Sequence, residues 1–190
     1  MIVLVDNYDS FTFNLYQFLA AEAGGRDAIT VVRNDERSAE EVLALRPTHV
    51  VLSPGPGHPS RSGLSLVLPP LLPETPLLGV CLGHQALALC FGARVERSPR
   101  PRHGLTVPIR HDGAGLFEGL PQGFPAALYH SLAVTQDTVP PTLAVSAWTA
   151  EGDIMALRHN GQPSFGVQFH PESFMTTAGT RLLRNFLALR

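Results

Sequence analysis

Cys81 is the residue around which chemistry can be built, because the chain changes character at that point. Pro76 to Val80 reads as a short buried strand, and Gln85 to Phe91 as an apolar helix that stops at Gly92, a residue type suited to a left-handed C-terminal cap. A nucleophile at such a strand-to-helix corner sits in a tight, strained turn, and small residues two before and two after it leave room for the backbone. Gly79 and Gly83 hold those two places. Backbone N–H groups and the positive end of a helix dipole favour thiolate over thiol at such a corner. A free cysteine is also a good small buried hydrophobe, and this stretch alone leaves both readings open.

A cysteine nucleophile needs a base within hydrogen-bond reach, and the base needs a group that fixes its tautomer. The stretch Phe169-His170-Pro171-Glu172 offers both: an extended run ends in a histidine, a proline blocks further regular pairing, and a carboxylate follows two residues after the histidine. Ser53-Pro54-Gly55-Pro56-Gly57 looks at first like a phosphate loop, but it lacks the Lys-Ser/Thr ending and the helix that such a site requires. Its prolines stiffen the turn and leave the N–H groups of Gly55 and Gly57 free to face a developing oxyanion. Tyr129-His130-Ser131-Leu132 reads as a polar interruption between short strands and equally as a hairpin end. None of the eight histidines forms an i, i+4 pair or clusters with the cysteines at metal-ligand spacing, which speaks against zinc.

The elements that must position these groups can be read in order. Ile2 to Val5 is a buried strand opening into a polar loop, and Phe11 to Ala23 is a helix with Asp9 or Ser10 as N-cap and Gly24-Gly25 as stop. Ala28 to Val32 is a second strand; Ser38 and Glu41 have capping-box spacing for a helix running to Leu45; His49 to Leu52 is a third strand. Strand and helix alternate up to the strand before Cys81, which implies an α/β fold with a mainly parallel central sheet and helices on both faces. In the second half, Arg94 to Arg97, Leu105 to Arg110, Ala126 to Tyr129, Leu143 to Ala147, Asp153 to Arg158 and Ser164 to Phe169 are short strands. Asp112-Gly113, Glu151-Gly152 and Asn160-Gly161 mark turns, so antiparallel hairpins are expected. Thr180 to Leu189 closes the chain as an amphipathic helix with Leu182, Leu183, Phe186 and Leu187 inward and Arg181, Arg184 and Asn185 outward. Ligands in open α/β sheets bind beyond the carboxyl ends of the strands, where Cys81, the Ser53 loop and His170 all fall.

A chain of 190 residues that is 44% hydrophobic can bury a proper core as a single domain spanning 1–190. Its 14 basic and 16 acidic residues give a net charge of −2 with no long basic run, which argues against a nucleic-acid or anionic-membrane partner. The apolar start, Met1 to Val5, is too short for a signal peptide or membrane span, so a cytoplasmic location is expected. Cys81 and Cys90, roughly 13 Å apart along a helix, are beyond disulfide reach and should stay reduced.

With these residues in view, the sequence closely resembles the class I (triad) glutamine amidotransferases, and within them the small subunits of anthranilate and aminodeoxychorismate synthases. The resemblance rests on Asp6-Asn-Tyr-Asp-Ser-Phe11, Ser53 to Gly57, Gly79-Val-Cys-Leu-Gly-His-Gln85, Tyr129 to Leu132 and Gly166-Val-Gln-Phe-His-Pro-Glu-Ser173, in the family's order and across nearly the whole chain. It implies that family's three-layer fold, with Cys81 attacking the side-chain amide of L-glutamine, His170 as acid and base, and Glu172 as its orienter. It also implies an oxyanion hole from Gly55 and the Leu82 N–H, with Pro56 and Gly57 beside it, and Gln85, Ser131 and Leu132 holding the glutamine. No cofactor is expected in this chain, and Mg2+ is expected in a chorismate-binding synthase subunit that uses the ammonia. Tryptophan biosynthesis is the leading assignment; the alternative is a folate-pathway subunit, or one shared by both pathways. A stand-alone γ-glutamyl cysteine hydrolase and a non-catalytic scaffold are the remaining readings. One departure stands out: relatives commonly carry lysine after His-Gly where this chain has Leu105.

Overall fold

The computed structural model describes residues 1–25 and 28–190. The first half alternates as expected: β1 (Ile2–Asp6), α1 (Thr12–Glu22), β2 (Ile29–Arg33), α2 (Ala39–Ala44), β3 (His49–Leu52), a short α3 (Leu64–Val67), β4 (Leu77–Val80) and α4 (Leu82–Cys90). The second half supplies β5 (Val95–His111), β6 (Phe124–Val134), β7 (Leu143–Trp148), β8 (Ile154–His159), β9 (Ser164–Val167) and α5 (Gly179–Leu187). These strands form one nine-stranded sheet in the order β2-β1-β3-β4-β9-β8-β7-β5-β6.

The two-residue alternation of a strand explains why helices cover both faces. Ile2 and Leu4 of β1 point into one core with Leu15 and Leu19 of α1 and Leu182, Leu183 and Phe186 of α5. Val3 and Val5 point into the other, with Val42 of α2, Leu64 of α3 and Leu87 of α4. Leu4, Leu52, Leu77, Leu78 and Leu87 are completely buried, and each such side chain contributes about 1.5–3 kcal/mol through the surface it removes from water.

The placement that matters most for chemistry is that of β9. It lies parallel to β4, with Val80 opposite Val167, and antiparallel to β8. The loop after β9 therefore emerges beside Cys81, although 89 residues separate Cys81 from His170 in sequence.

Four local expectations are corrected. Helix α1 is capped by neither the Asp9 nor the Ser10 side chain: Phe11 is its N-cap residue, and the Asp9 carboxylate instead accepts the Phe11 N–H at 2.7 Å in a turn just before the helix. Arg94–Arg97 and Leu105–Arg110 are parts of a single strand, β5, because the turn-like residues between them sit where its register against β6 shifts, at 97/102 and 103/105. Tyr129 to Leu132 does not interrupt a strand; it runs inside β6, where Tyr129 pairs with His103 and Leu132 with Arg97. Asn185 is not turned outward, since its amide donates to the carbonyls of Leu116 and Glu118, both at 2.9 Å.

Candidate active site

The corner at Cys81 is built by steric exclusion. Cys81 is the N-cap of α4 with φ 51° and ψ −99°, a conformation a side chain adopts only under compulsion. The compulsion comes from both sides of the turn. The Cys81 N–H donates to the Val167 carbonyl at 2.9 Å, and its carbonyl accepts the Gln85 N–H at 3.0 Å. A Cβ on Gly79 would strike the Gly83 carbonyl, and one on Gly83 would strike the Leu52 carbonyl. The spacing read from sequence thus has a direct cause: strand, turn and helix backbones touch where the two glycines stand.

His170 is held against the inner side of this corner. Its N–H donates to Ala127 of β6 at 3.0 Å, and its carbonyl accepts the Thr176 hydroxyl at 2.7 Å. Thr176 in turn accepts the Ala127 N–H at 3.0 Å, so the loop is stapled to the sheet at two points. The start of α5 presses on the same loop, for a Cβ on Gly179 would collide with the Pro171 carbonyl. His170 Nδ1 hydrogen-bonds Glu172 Oε1 at 2.7 Å, with both side chains buried. The rings of Phe11 and Tyr129 lie edge-on to the imidazole, 5.5 and 5.1 Å away, and exclude water from the pair.

Burial pulls the His170 imidazole down, but Cys81 and Glu172 outweigh it and leave it pushed up to about 10. With Nδ1 committed to Glu172, Nε2 is the ring nitrogen left to face Cys81 and to carry a proton to or from a reacting group. By contrast, burial pushes the Cys90 thiol up to about 12.

A cavity of about 210 Å³ opens over Cys81, walled by Gly55, Pro56, Gly57, Gln85, His103, Tyr129, His130, Ser131 and Leu132. Most residues singled out by sequence therefore face one space. His170 and Glu172 stand behind Cys81 rather than in the wall. Leu82 lies on the far side of the 53–57 loop, lining a second cavity of about 520 Å³ with Asn7, Tyr8 and Asp35. A Cβ on Gly55 would come within 2.7 Å of the Leu82 side chain and 2.6 Å of Asn7. Glycine therefore lets the loop close down on the start of α4, where backbone N–H groups without helix partners gather.

Sequence reasoning passed over Asn7, which fixes that loop. It is 2% exposed; its N–H donates to Ser53 Oγ at 2.9 Å and its amide to the Ser53 carbonyl at 2.7 Å. Its Oδ1 accepts from Asn34 and Ser65, each at 2.9 Å. Asn7 thereby ties together the loops after β1, β2 and β3 and the short helix α3. Its signal was present in the Asp6–Phe11 motif, but nothing in the residue types marked it as a hub. Among the described residues no group of three or more His, Cys, Asp or Glu side chains could hold a metal ion, and no helix is long and apolar enough to cross a membrane.

The chain is similar to known proteins over nearly its whole length. The Streptomyces griseus aminodeoxychorismate synthase is 53% identical over 97% of this chain, which spans only 25% of that longer protein. The Bacillus subtilis aminodeoxychorismate/anthranilate synthase component 2 is 48% identical over 98% of this chain and 95% of its own length. The Thermus thermophilus anthranilate synthase component 2 is 49% identical over 98% of this chain and 91% of its own. A solved Thermoplasma acidophilum structure, named for a GMP synthase subunit, superposes with a TM-score of 0.84 at 26% identity, covering 98% of this chain and 91% of that one. The family model for glutamine amidotransferase class-I matches residues 3–189, and the chain belongs to that family.

Proposed function

We propose that this chain is a glutaminase subunit that hydrolyses L-glutamine through a thioester on Cys81 and passes the ammonia to a chorismate-binding synthase subunit. The observation that carries the reading is the meeting, at one cavity, of a cysteine held at positive φ on a helix N-terminus and a buried His170–Glu172 pair behind it.

The chemistry follows from those positions. The Cys81 sulfur attacks the carboxamide carbon of glutamine, and the oxygen takes up negative charge towards Gly55 and the Leu82 N–H. His170 Nε2 gives its proton to the leaving nitrogen, the C–N bond breaks, and ammonia departs from a thioester. Water then attacks the thioester carbon while His170 removes its proton; the C–S bond breaks, releasing glutamate and restoring the cysteine. Glu172 holds the imidazole in one tautomer and balances its charge. Gln85, Ser131 and Leu132 hold the rest of the glutamine, with Pro56 and Gly57 closing the wall.

We assign the partner as anthranilate synthase component I, with this chain as component II in a cytoplasmic complex. The likeness to the Thermus component 2 supports that assignment. The competing assignment, aminodeoxychorismate synthesis or a role shared by both pathways, draws on the Streptomyces and Bacillus relatives. Mg2+ belongs, in this reading, to the synthase subunit. The docking surface is the carboxyl end of the parallel strands, where Tyr8, Phe13 and Phe174 stand exposed on the loops and helix start that follow β1 and β9. The test is glutamate release with and without chorismate and each purified synthase subunit. Stimulation by one of them of about 30- to 150-fold, a coupling of about 2–3 kcal/mol, assigns the pathway. Equal turnover in every mixture would overturn the coupling and favour a stand-alone hydrolase.

A further inference from the structure

We propose that Gln168 is a further catalytic residue, an N–H donor held against the Cys81 sulfur by a hydrogen-bond relay whose direction is set by the Leu132 carbonyl. Gln168 is completely buried, one residue beyond β9, and its backbone N–H donates to Met155 of β8 at 2.8 Å. Its Nε2 lies 3.5 Å from Cys81 Sγ. Its Oε1 accepts from Gln85 Nε2 at 3.0 Å, and the same Gln85 nitrogen donates to the Leu132 carbonyl at 2.9 Å.

The polarity of this relay has one solution. A backbone carbonyl can only accept, so Gln85 must turn its NH2 towards Leu132. That NH2 then faces Gln168, which must answer with its oxygen and consequently presents its own NH2 to the sulfur. Turning either amide over would set donor against donor or oxygen against oxygen at side chains that are almost wholly buried. The His130 ring adds to the fixed end, with Nδ1 2.9 Å from the same Leu132 oxygen; an N–H there fills the second lone pair of that carbonyl.

Two consequences follow for the sulfur. It meets an N–H rather than an oxygen, which suits an anionic sulfur both before attack and when the thioester breaks and the sulfur leaves with the electron pair. The relay also occupies both Gln85 donors, so the end of Gln85 left for an incoming molecule is its oxygen, which takes an N–H group. The glutamine substrate carries such groups at its amide and its amine. The catalytic role of Gln168 rests on the glutaminase reading, whereas the relay and its hold on the sulfur do not.

The test uses the full chain in a Cys90→Ser background, so that Cys81 is the single thiol. Alkylation by iodoacetamide at neutral pH reads the sulfur directly, and glutamate release with the synthase subunit present reads turnover. Gln168→Glu keeps the shape and the acceptor for Gln85 but offers an oxygen to the sulfur; Gln168→Met keeps the volume without a charge and serves if the buried carboxylate prevents folding. Both are expected to slow alkylation on the order of 10- to 100-fold, the effect of a hydrogen bond to a charged group. Both should lower kcat while KM stays within about threefold, since Gln168 does not line the cavity; Gln85→Met, which removes a wall residue and the partner that orients Gln168, should raise KM and lower kcat together. Folded Gln168 variants that alkylate at the parent rate, or that raise KM with kcat intact, would overturn the proposal. If the parent alkylates quickly but releases no glutamate with any partner, the glutaminase reading fails while the alkylation comparison still judges Gln168.

Discussion

Helix α4 begins and ends with a cysteine, and the two ends show how far a residue's chemistry is decided by its surroundings. At the first end Cys81 is forced to positive φ, opens onto a cavity, and has Gln168 and His170 directed at its sulfur. At the other, the Cys90 thiol donates back to the Leu87 carbonyl at 3.1 Å and burial holds it protonated. The helix dipole helps an anion at the first end and opposes one at the second. One element thus carries a built nucleophile and an inert thiol, and sequence alone separates them only through the glycines around the first.

The largest test of this contrast is loss of either sulfur. Cys81→Ser should lower glutamate release by at least about 1000-fold with the fold intact, while Cys90→Ser stays near wild type. His170→Ala should be nearly as inactive as Cys81→Ser. Glu172→Gln should retain partial activity, because it removes the orienter and keeps the base. Rates measured side by side decide the matter: an inactive Cys90→Ser would assign the wrong end of the helix, and a Glu172→Gln as dead as Cys81→Ser would show that the carboxylate does more than orient.

Much of this contrast was legible, and what was not has physical causes. Short continuous apolar runs mark buried parallel strands without reference to any partner, so β1, β3 and β4 were visible in the residues themselves. The capping box of α2 was visible too: Ser38 accepts the Glu41 N–H at 3.2 Å and Glu41 accepts the Ser38 N–H at 2.8 Å. Long antiparallel strands are harder, because Pro99, Pro101 and Gly104 interrupt the local pattern of β5 while the strand continues through shifts of register set by β6. In the site, the triad carried its own residue types and spacing. Gln168 and Asn7 did not, since an amide becomes functional only through what its two ends touch, and those partners are 87 and 46 residues away. Asn185 was misplaced for the same reason, a polar side chain read as solvated that instead donates to the carbonyls of Leu116 and Glu118.

The glycines at the two ends provide the next comparison. A methyl group on Gly83 meets the Leu52 carbonyl, part of a strand that cannot move aside, whereas Gly92 has φ 99° and open space around its missing Cβ. Gly83→Ala should therefore cost on the order of 3 kcal/mol or more and distort the elbow, with activity falling alongside stability. Gly92→Ala should cost about 1 kcal/mol, the penalty of a left-handed alanine just past the Phe91 C-cap, and leave activity unchanged. Urea midpoints compared with initial rates check this, and a Gly83→Ala protein of normal stability and rate would show that the close backbone contact is not what shapes the turn.

The smallest effect concerns pH, and here too the two ends separate. His170 sits near 6.5 when unfolded and is pushed up to about 10 in the fold, with burial working against Cys81 and Glu172. The native state binds that proton more tightly, so its contribution to stability is complete below about 6.5 and is lost as pH rises through about 10. Cys90 moves from an ordinary 9.0 to about 12 through burial, so its contribution is lost only between those values. Thermal unfolding followed from pH 7 to 11 should show a decline beginning in the neutral range that is flattened in His170→Gln and retained in Cys90→Ala. Above pH 9 the slope should ease in Cys90→Ala as well. A His170→Gln protein that declines in parallel with wild type between pH 7 and 9 would mean that the imidazole holds no extra proton in the fold. The charge balance behind Cys81 would then have to be carried by another group.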